Sequence, residues 1–225
     1  MNSLRRLLLS YIYCNSISDS QHGDRPIFSY LSEKLRLDAT MFESDLLDLE
    51  KMHLITIKNN ESMDGTFKRK ELLCYLTKKG RSEIKVVLVG GVFDLLHVGH
   101  IHTLKSAKLL GDVLVIVVAT DATVRNVKKN RKIYHDENSR LELVSSIWFV
   151  DKAIIGRKNS IYDTVDFVKP DIIALGYDQT HDEKVMKKNC LERGLHLDVV
   201  RLSSPIPQLK SSVIKSELGS SFYDL

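Results

Sequence analysis

Cysteine is scarce in these 225 residues: Cys14, Cys74 and Cys190 are far apart and odd in number. With no CxxC pair and no Cys/His cluster, neither a disulfide framework nor a zinc site is available, and a reducing, cytoplasmic setting is expected. Any apolar run long enough to span a bilayer is also lacking. The stretch MNSLRRLLLSYIYC places two arginines before a short apolar run, but Asn15 to Asp24 is polar and offers no signal-peptide cleavage site. It reads as an amphipathic first helix, and no membrane partner is expected. Strong charge of one sign is missing too. Residues 1–84 carry 13 Lys+Arg against 12 Asp+Glu, net +1, and the remainder carries 20 against 17, net +3. Neither bias indicates nucleic acid by itself. Repeats and low-complexity tracts are absent. What is present is 43% apolar and 28% charged residue, enough for packed cores in two small domains.

The two stretches are patterned differently. In residues 1–84, Leu4, Leu7, Leu8 and Tyr11 recur at helical spacing. Pro26 suits the first turn of a second helix through Ile27, Tyr30 and Leu31. A third helix is expected after Asp38 or Thr40 as cap, with Leu46, Leu47, Leu49 and Met52 apolar. LITIKN and KRKELLCYLT then alternate as strands, joined by the turn-rich NNESMDG. Three helices followed by a hairpin is the order of a winged helix, and LTKKG, Leu76 to Gly80, resembles the close of a second wing strand. From residue 85 the runs KVVLVGG, DVLVIVVAT, KAIIG, DIIALG and LDVVRL alternate with the helical stretches HIHTLKSAKLL, ENSRLELVSSIWF, IYDTVDFV and DEKVMKKNCLERG. Strands apolar on both faces alternating with helices predict a parallel sheet covered on both sides. The expected fold class is therefore α/β, a doubly wound, Rossmann-like parallel five-stranded sheet over residues 85–225, preceded by a small winged-helix α+β domain over 1–84. Its ligand belongs at the carboxyl ends of the strands.

The first of those strands runs into Gly90-Gly91, and a helix begins near Val98. Glycines let backbone approach a phosphate, and a helix start presents N–H groups and a positive dipole end. The spacing is not that of the GxGxxG dinucleotide fingerprint. The turn instead carries His97-Val98-Gly99-His100. Two histidines three apart at a helix start point to the same side, and the intervening glycine leaves room for a large anion.

GVFDLLHVGH resembles the HxGH signature of the nucleotidylyltransferase superfamily, in its cytidylyltransferase-like branch, over nearly all of residues 86–217. The resemblance implies that an acceptor phosphate attacks the α-phosphorus of a nucleoside triphosphate in line and that pyrophosphate leaves. No protein nucleophile is used, so positioning and charge neutralisation carry the catalysis. It also implies that His97 and His100 contact the α-phosphate and the oxygens that gain charge. Val92 and Phe93 pass backbone groups along the nucleotide, and Val98 and Gly99 complete the binding turn. Asp94 holds the turn or helps place a divalent cation, with Mg²⁺ expected. In the cluster Lys128, Lys129, Arg131 and Lys132, the residues matching the family's phosphate contacts are Lys129, as a catalytic group, and Arg131. Arg140 matches a recurrent arginine that is either structural or ligand-facing. At LGYDQ, Leu175 to Gln179, Asp178 accepts from ribose hydroxyls or the base, or simply belongs to a turn. Ser211 and Ser212 cap a helix or bind the triphosphate tail on it.

The acceptor is narrowed by a departure. Glycerol-3-phosphate cytidylyltransferases carry an arginine about six residues before the paired hydroxyls, whereas SSPIPQLKSS has Pro205 near that position. LGYDQT and KPDIIALG look more like archaeal-type FAD synthases, with Tyr177, Pro205, Ile206 and Pro207 offering apolar surface for a flavin ring. The expected function is FMN adenylylation with ATP and FMN as substrates. The alternatives are a cytidylyltransferase using CTP and a small alcohol phosphate, or a nucleotide-sensing DNA-binding regulator. For the last, the segment Thr40 to Met52 carries Glu43, Asp45, Asp48 and Glu50, which suit phosphates poorly. Lys68, Arg69 and Lys70 leave a DNA contact through residues 1–84 open. A homodimer is the expected assembly.

Overall fold

Leu8, Leu9, Ile12 and Tyr13 bury one side of helix α1 (Ser3–Ser16); the expected helix is present, but of Leu4, Leu7, Leu8 and Tyr11 only Leu8 is buried and Leu7 is exposed. Helix α1 opens the first of two units into which the chain divides, Met1–Ile84 and Lys85–Leu225. The computed structural model describes residues 3–17, 25–58, 72–127, 133–157 and 160–203. After α1 the first unit runs through α2 (Ile27–Leu35), a 3-10 turn (Ala39–Phe42) and α3 (Glu43–Lys51). There follow the antiparallel strands β1 (Ile55–Lys58) and β2 (Leu73–Leu76) and the short α4 (Lys78–Ser82).

Three local expectations need correction. Pro26 is the N-cap of α2, one residue before the first turn. Asp38 caps the 3-10 turn, accepting from the Thr40 N–H at 3.0 Å, and α3 starts only at Glu43. The second strand stops at Leu76, because the Thr77 hydroxyl accepts from the Gly80 N–H and donates to the His53 carbonyl at 2.8 Å. That side chain offers the backbone a helix cap in place of another ladder pair, so LTKKG is a strand end followed by α4. Of the α3 carboxylates, Asp48 lies 3.4 Å from Lys51, and Glu50 accepts from the Ile57 N–H at 2.8 Å. NNESMDG and Lys68, Arg69 and Lys70 lie outside the described residues.

The second unit contains β3 (Val86–Gly91), α5 (Val98–Lys108), β4 (Val113–Val118), α6 (Asp121–Val127) and α7 (Glu137–Ser145). It continues with β5 (Lys152–Ile155), α8 (Ile161–Val168), β6 (Ile172–Leu175), α9 (Glu183–Glu192) and β7 (Asp198–Arg201). The five strands lie in the order β5-β4-β3-β6-β7, every neighbouring pair parallel. All six residues of β4 are buried, as a strand covered on both faces requires. Val87, Val89, Leu104, Ile116 and Val144 form the centre of this core. Aspartates close the amino ends of the strands. Asp112, Asp151 and Asp171 accept from the N–H groups of Lys85, Leu114 and Val86 at 2.6–2.8 Å, satisfying donors the ladder leaves over. Helix α6 was not foreseen, and α7 ends at Ser145, four residues before the expected Phe149. From β3 the chain steps outward to β4 and β5, then crosses back to β6 and β7. The strand order therefore reverses between β3 and β6.

Candidate active site

At that reversal β3 delivers Gly90 and Gly91. A Cβ on Gly90 would meet nothing within 4 Å, so its backbone faces open space. A Cβ on Gly91 would come within 2.7 Å of the Phe93 ring, which lies folded over it. Phe93 itself adopts a left-handed backbone, φ 55°, with its ring buried and edge-on to His100, 5.6 Å between centroids. Helix α5 then starts with His97 as N-cap, and the His97 and His100 rings lie 4.0 Å apart, tilted by 39°. Gly99 is buried in the first turn, and Val98 points outward, 48% exposed. The turn thus puts two imidazoles beside the positive end of an eleven-residue helix.

The two rings are not equivalent. The His97 N–H donates to His100 Nδ1 over a long 3.4 Å, which favours the His100 proton on Nε2. His97 Nδ1 is buried and has no hydrogen-bond partner among the described residues. Burial pushes the His97 ring below its usual 6.5, and the Asp178 carboxylate pulls it part of the way back. His97 is therefore neutral at pH 7. Because the folded ring binds its proton more weakly than the unfolded one, stability from this residue is present at and above the ordinary histidine value and falls as pH drops below it. A phosphate against the ring has the opposite effect. Nucleotide binding at about pH 6 is expected to take up a proton that the His97→Asn variant does not. Titration calorimetry in two buffers of different ionisation enthalpy measures it, and equal buffer-independent heats for both proteins would refute it.

Two residues with open readings are placed by the structure. Asp94 is 2% exposed, and its Oδ1 accepts from the Tyr134 and His135 N–H groups, each at 3.0 Å. His135 Nδ1 in turn donates to the Asp94 carbonyl at 2.9 Å. Asp94 holds the turn. Arg140 is fully buried and donates to the carbonyls of Val92, Ala119 and His135 and to Asp121, so it is structural. It also engages the Val92 carbonyl, one of the backbone groups expected along the nucleotide.

Across the switch point, β6 leads into Gly176-Tyr177-Asp178-Gln179. Asp178 is exposed, and its carboxylate is near enough to act on His97. Burial, then Asp178, pushes the Tyr177 phenol up, so it stays neutral. Gln179 and Arg201 bind the backbone of this loop, a role the sequence did not disclose. An amide directly after a strand-end turn was the only available signal. Lys129 and Arg131, with Lys128 and Lys132, lie outside the described residues, as do Pro205, Ile206, Pro207, Ser211 and Ser212. No group of three or more His, Cys, Asp or Glu side chains suited to a metal occurs among the described residues. They build no cage for a resident Mg²⁺, which ordinarily keeps waters and phosphate oxygens as ligands. No described helix is long and apolar enough to cross a membrane.

The Cytidylyltransferase-like family model matches residues 88–217, more than half of the chain. An FAD synthase of Thermoplasma volcanium is 51% identical over 127 residues, 56% of this chain and 87% of that protein. The FAD synthase of Pyrococcus abyssi is 45% identical over 124 residues, 55% of this chain and 82% of its own length. A solved Thermoplasma volcanium structure, described as a lipopolysaccharide core biosynthesis protein, is 48% identical with a TM-score of 0.52. It covers 54% of this chain and 98% of that one. With the HVGH turn at the end of β3, in a sheet whose order reverses beside it, the chain belongs to the cytidylyltransferase-like family of nucleotidyltransferases.

Proposed function

We propose that this chain is an FAD synthase: it transfers the AMP moiety of ATP to FMN and releases pyrophosphate. The observation that carries this reading is the 51% identity to a curated FAD synthase over 87% of that protein's length. The site's chemistry is compatible with it. An FMN phosphate oxygen bonds to the α-phosphorus while the bond to the bridging oxygen breaks, and that electron pair leaves on pyrophosphate. No covalent enzyme intermediate is needed, so the protein's task is to align and to neutralise. The His97 and His100 rings and the amino end of α5 hold the α-phosphate oxygens as charge builds on them. Lys129 and Arg131 meet the β- and γ-phosphates, Ser211 and Ser212 the triphosphate tail, and Asp178 the ribose. Mg²⁺ enters with ATP as part of the substrate. We read residues 1–84 as a winged-helix module whose contact with DNA runs through Lys68 to Lys70.

Incubation with FMN, Mg²⁺ and either ATP or CTP, following FAD and pyrophosphate by chromatography, tests the assignment. FAD and stoichiometric pyrophosphate are expected with ATP. No product from FMN with either triphosphate, but turnover of CTP with glycerol 3-phosphate, would replace FMN as the acceptor.

A further inference from the structure

The β3–β6 ladder pairs Val87 with Ile172 and Leu88 with Ile173, whereas β3 stays paired with β4 as far as Gly91. Past Leu88 and Ile173 the two strands are no longer paired, at the carboxyl ends where the strand order reverses. One side chain bridges them. Gln179 Nε2 donates to the Gly90 carbonyl at 2.7 Å, and Gln179 Oε1 accepts from the Gly176 N–H at 3.2 Å. The carboxamide stands where another peptide of the ladder would stand, with one donor towards β3 and one acceptor towards the end of β6. Arg201 on β7 secures the same loop from its far side. Its guanidinium donates to the carbonyls of Gly176 at 3.1 Å, Gln179 at 2.8 Å and His181 at 2.6 Å, and its Nε lies 2.8 Å from Glu183. The loop so held carries Tyr177 and Asp178, and the Asp178 charge reaches His97. The Gln179 carboxamide thus ties this loop to Gly90 on β3, the strand that leads into the HVGH turn.

We infer that Gln179 is a positioning residue for the triphosphate substrate: its carboxamide holds the 176–181 loop to Gly90 before the nucleotide arrives. The inference rests on the nucleotidyl-transfer reading above. Gln179 acts through Gly90 and the 176–181 loop, not on the reacting atoms. Both ends of the amide are required. An aliphatic side chain leaves the Gly90 carbonyl and the Gly176 N–H without their partner, and an unmade bond at part-buried groups is costly. A carboxylate keeps the acceptor towards Gly176 but sets a negative charge against the Gly90 carbonyl. A protonated carboxyl restores the full pattern, its O–H taking the place of the N–H.

The full chain tests this as wild type, Gln179→Leu and Gln179→Glu. Equilibrium binding of a non-hydrolysable ATP analogue is measured alongside steady-state kinetics with ATP and FMN. Gln179→Leu is expected to weaken analogue binding and raise the ATP KM by about tenfold to hundredfold. Its kcat should stay within about threefold, the pattern of lost ground-state binding. Gln179→Glu is expected to match Gln179→Leu at about pH 8 and to regain affinity, relative to wild type, progressively as pH falls through about 5 towards the ordinary glutamate range and the carboxyl gains its proton. The ionisable groups on this loop and its supports are His97, Tyr177, Asp178, His181, Glu183 and Arg201, shared by all three proteins, so the ratio to wild type isolates position 179. A role in stability alone would lower Tm without that pH-dependent recovery. Wild-type analogue affinity in Gln179→Leu, or a flat ratio for Gln179→Glu, overturns the inference. Analogue binding without FAD formation removes the acceptor proposed above and leaves Gln179 tested. Absence of analogue binding by the wild type removes both.

Discussion

His100→Ala is expected to lower kcat for adenylyl transfer by about 10²–10³, the usual loss when one donor to a developing oxyanion is removed. The geometry explains why the effect should fall on turnover and not on the fold. The ring lies on the first turn of α5, 4.0 Å from the His97 ring, with its Nδ1 turned towards the His97 N–H. The proton is then on Nε2, which suits the ring to donate to an oxygen whose charge grows during the reaction. Among the contacts the fold loses are a long 3.4 Å hydrogen bond and ring contacts with Phe93 and His97, all weak, so Tm should drop by only a few degrees, about 1 kcal/mol. Single-turnover measurements with saturating ATP separate the two effects. Turnover within about threefold of wild type would place the α-phosphate somewhere other than the HVGH turn.

Arg140→Met should do the reverse, with a large loss of stability. Arg140 is wholly buried, and its side chain joins three chain segments: Val92 after β3, Ala119 and Asp121 after β4, and His135 before α7. Methionine fills much of the volume and satisfies none of the three carbonyls. Breaking a buried pair with a charged partner costs about 3–5 kcal/mol, and the lower end applies here because the Asp121 side chain is 25% exposed and can turn to water. For a domain of this size that is a fall in Tm of roughly 10 °C. Calorimetric unfolding checks it, and a Tm within about 2 °C of wild type would show that the surrounding backbone finds other partners. Arg140→Lys should lie between the two, because an ammonium supplies the charge but not the planar fork that reaches several carbonyls at once.

The strands of the second unit and the start of α5 were legible because both rest on local pattern. Runs such as VLVIVV can only be central strands, and His-Val-Gly-His after a glycine pair has few other uses. Residues whose meaning depends on distant partners were not legible. Arg140 meets Val92 across 48 positions and Gln179 meets Gly90 across 89, and no window of sequence displays such pairs. Asp94 shows the middle case. The sequence offered it a turn or a cation, and its two bonds to the 134–135 backbone show the turn. At Thr77 the strand pattern continued while the hydroxyl chose a helix cap, a local competition that alternation of apolar residues does not register.

The left-handed backbone of Phe93 carries a cost of about 1–3 kcal/mol for a residue that is not glycine. Its buried ring, lodged over Gly91 and against His100, is what offsets that cost. Strain at this turn is therefore held in place by a buried ring, so the usual routes to a hardier variant run against it. Relaxing the backbone by Phe93→Gly would remove the ring that orients His100, and selection for thermostability would tend to trade away turnover at this position.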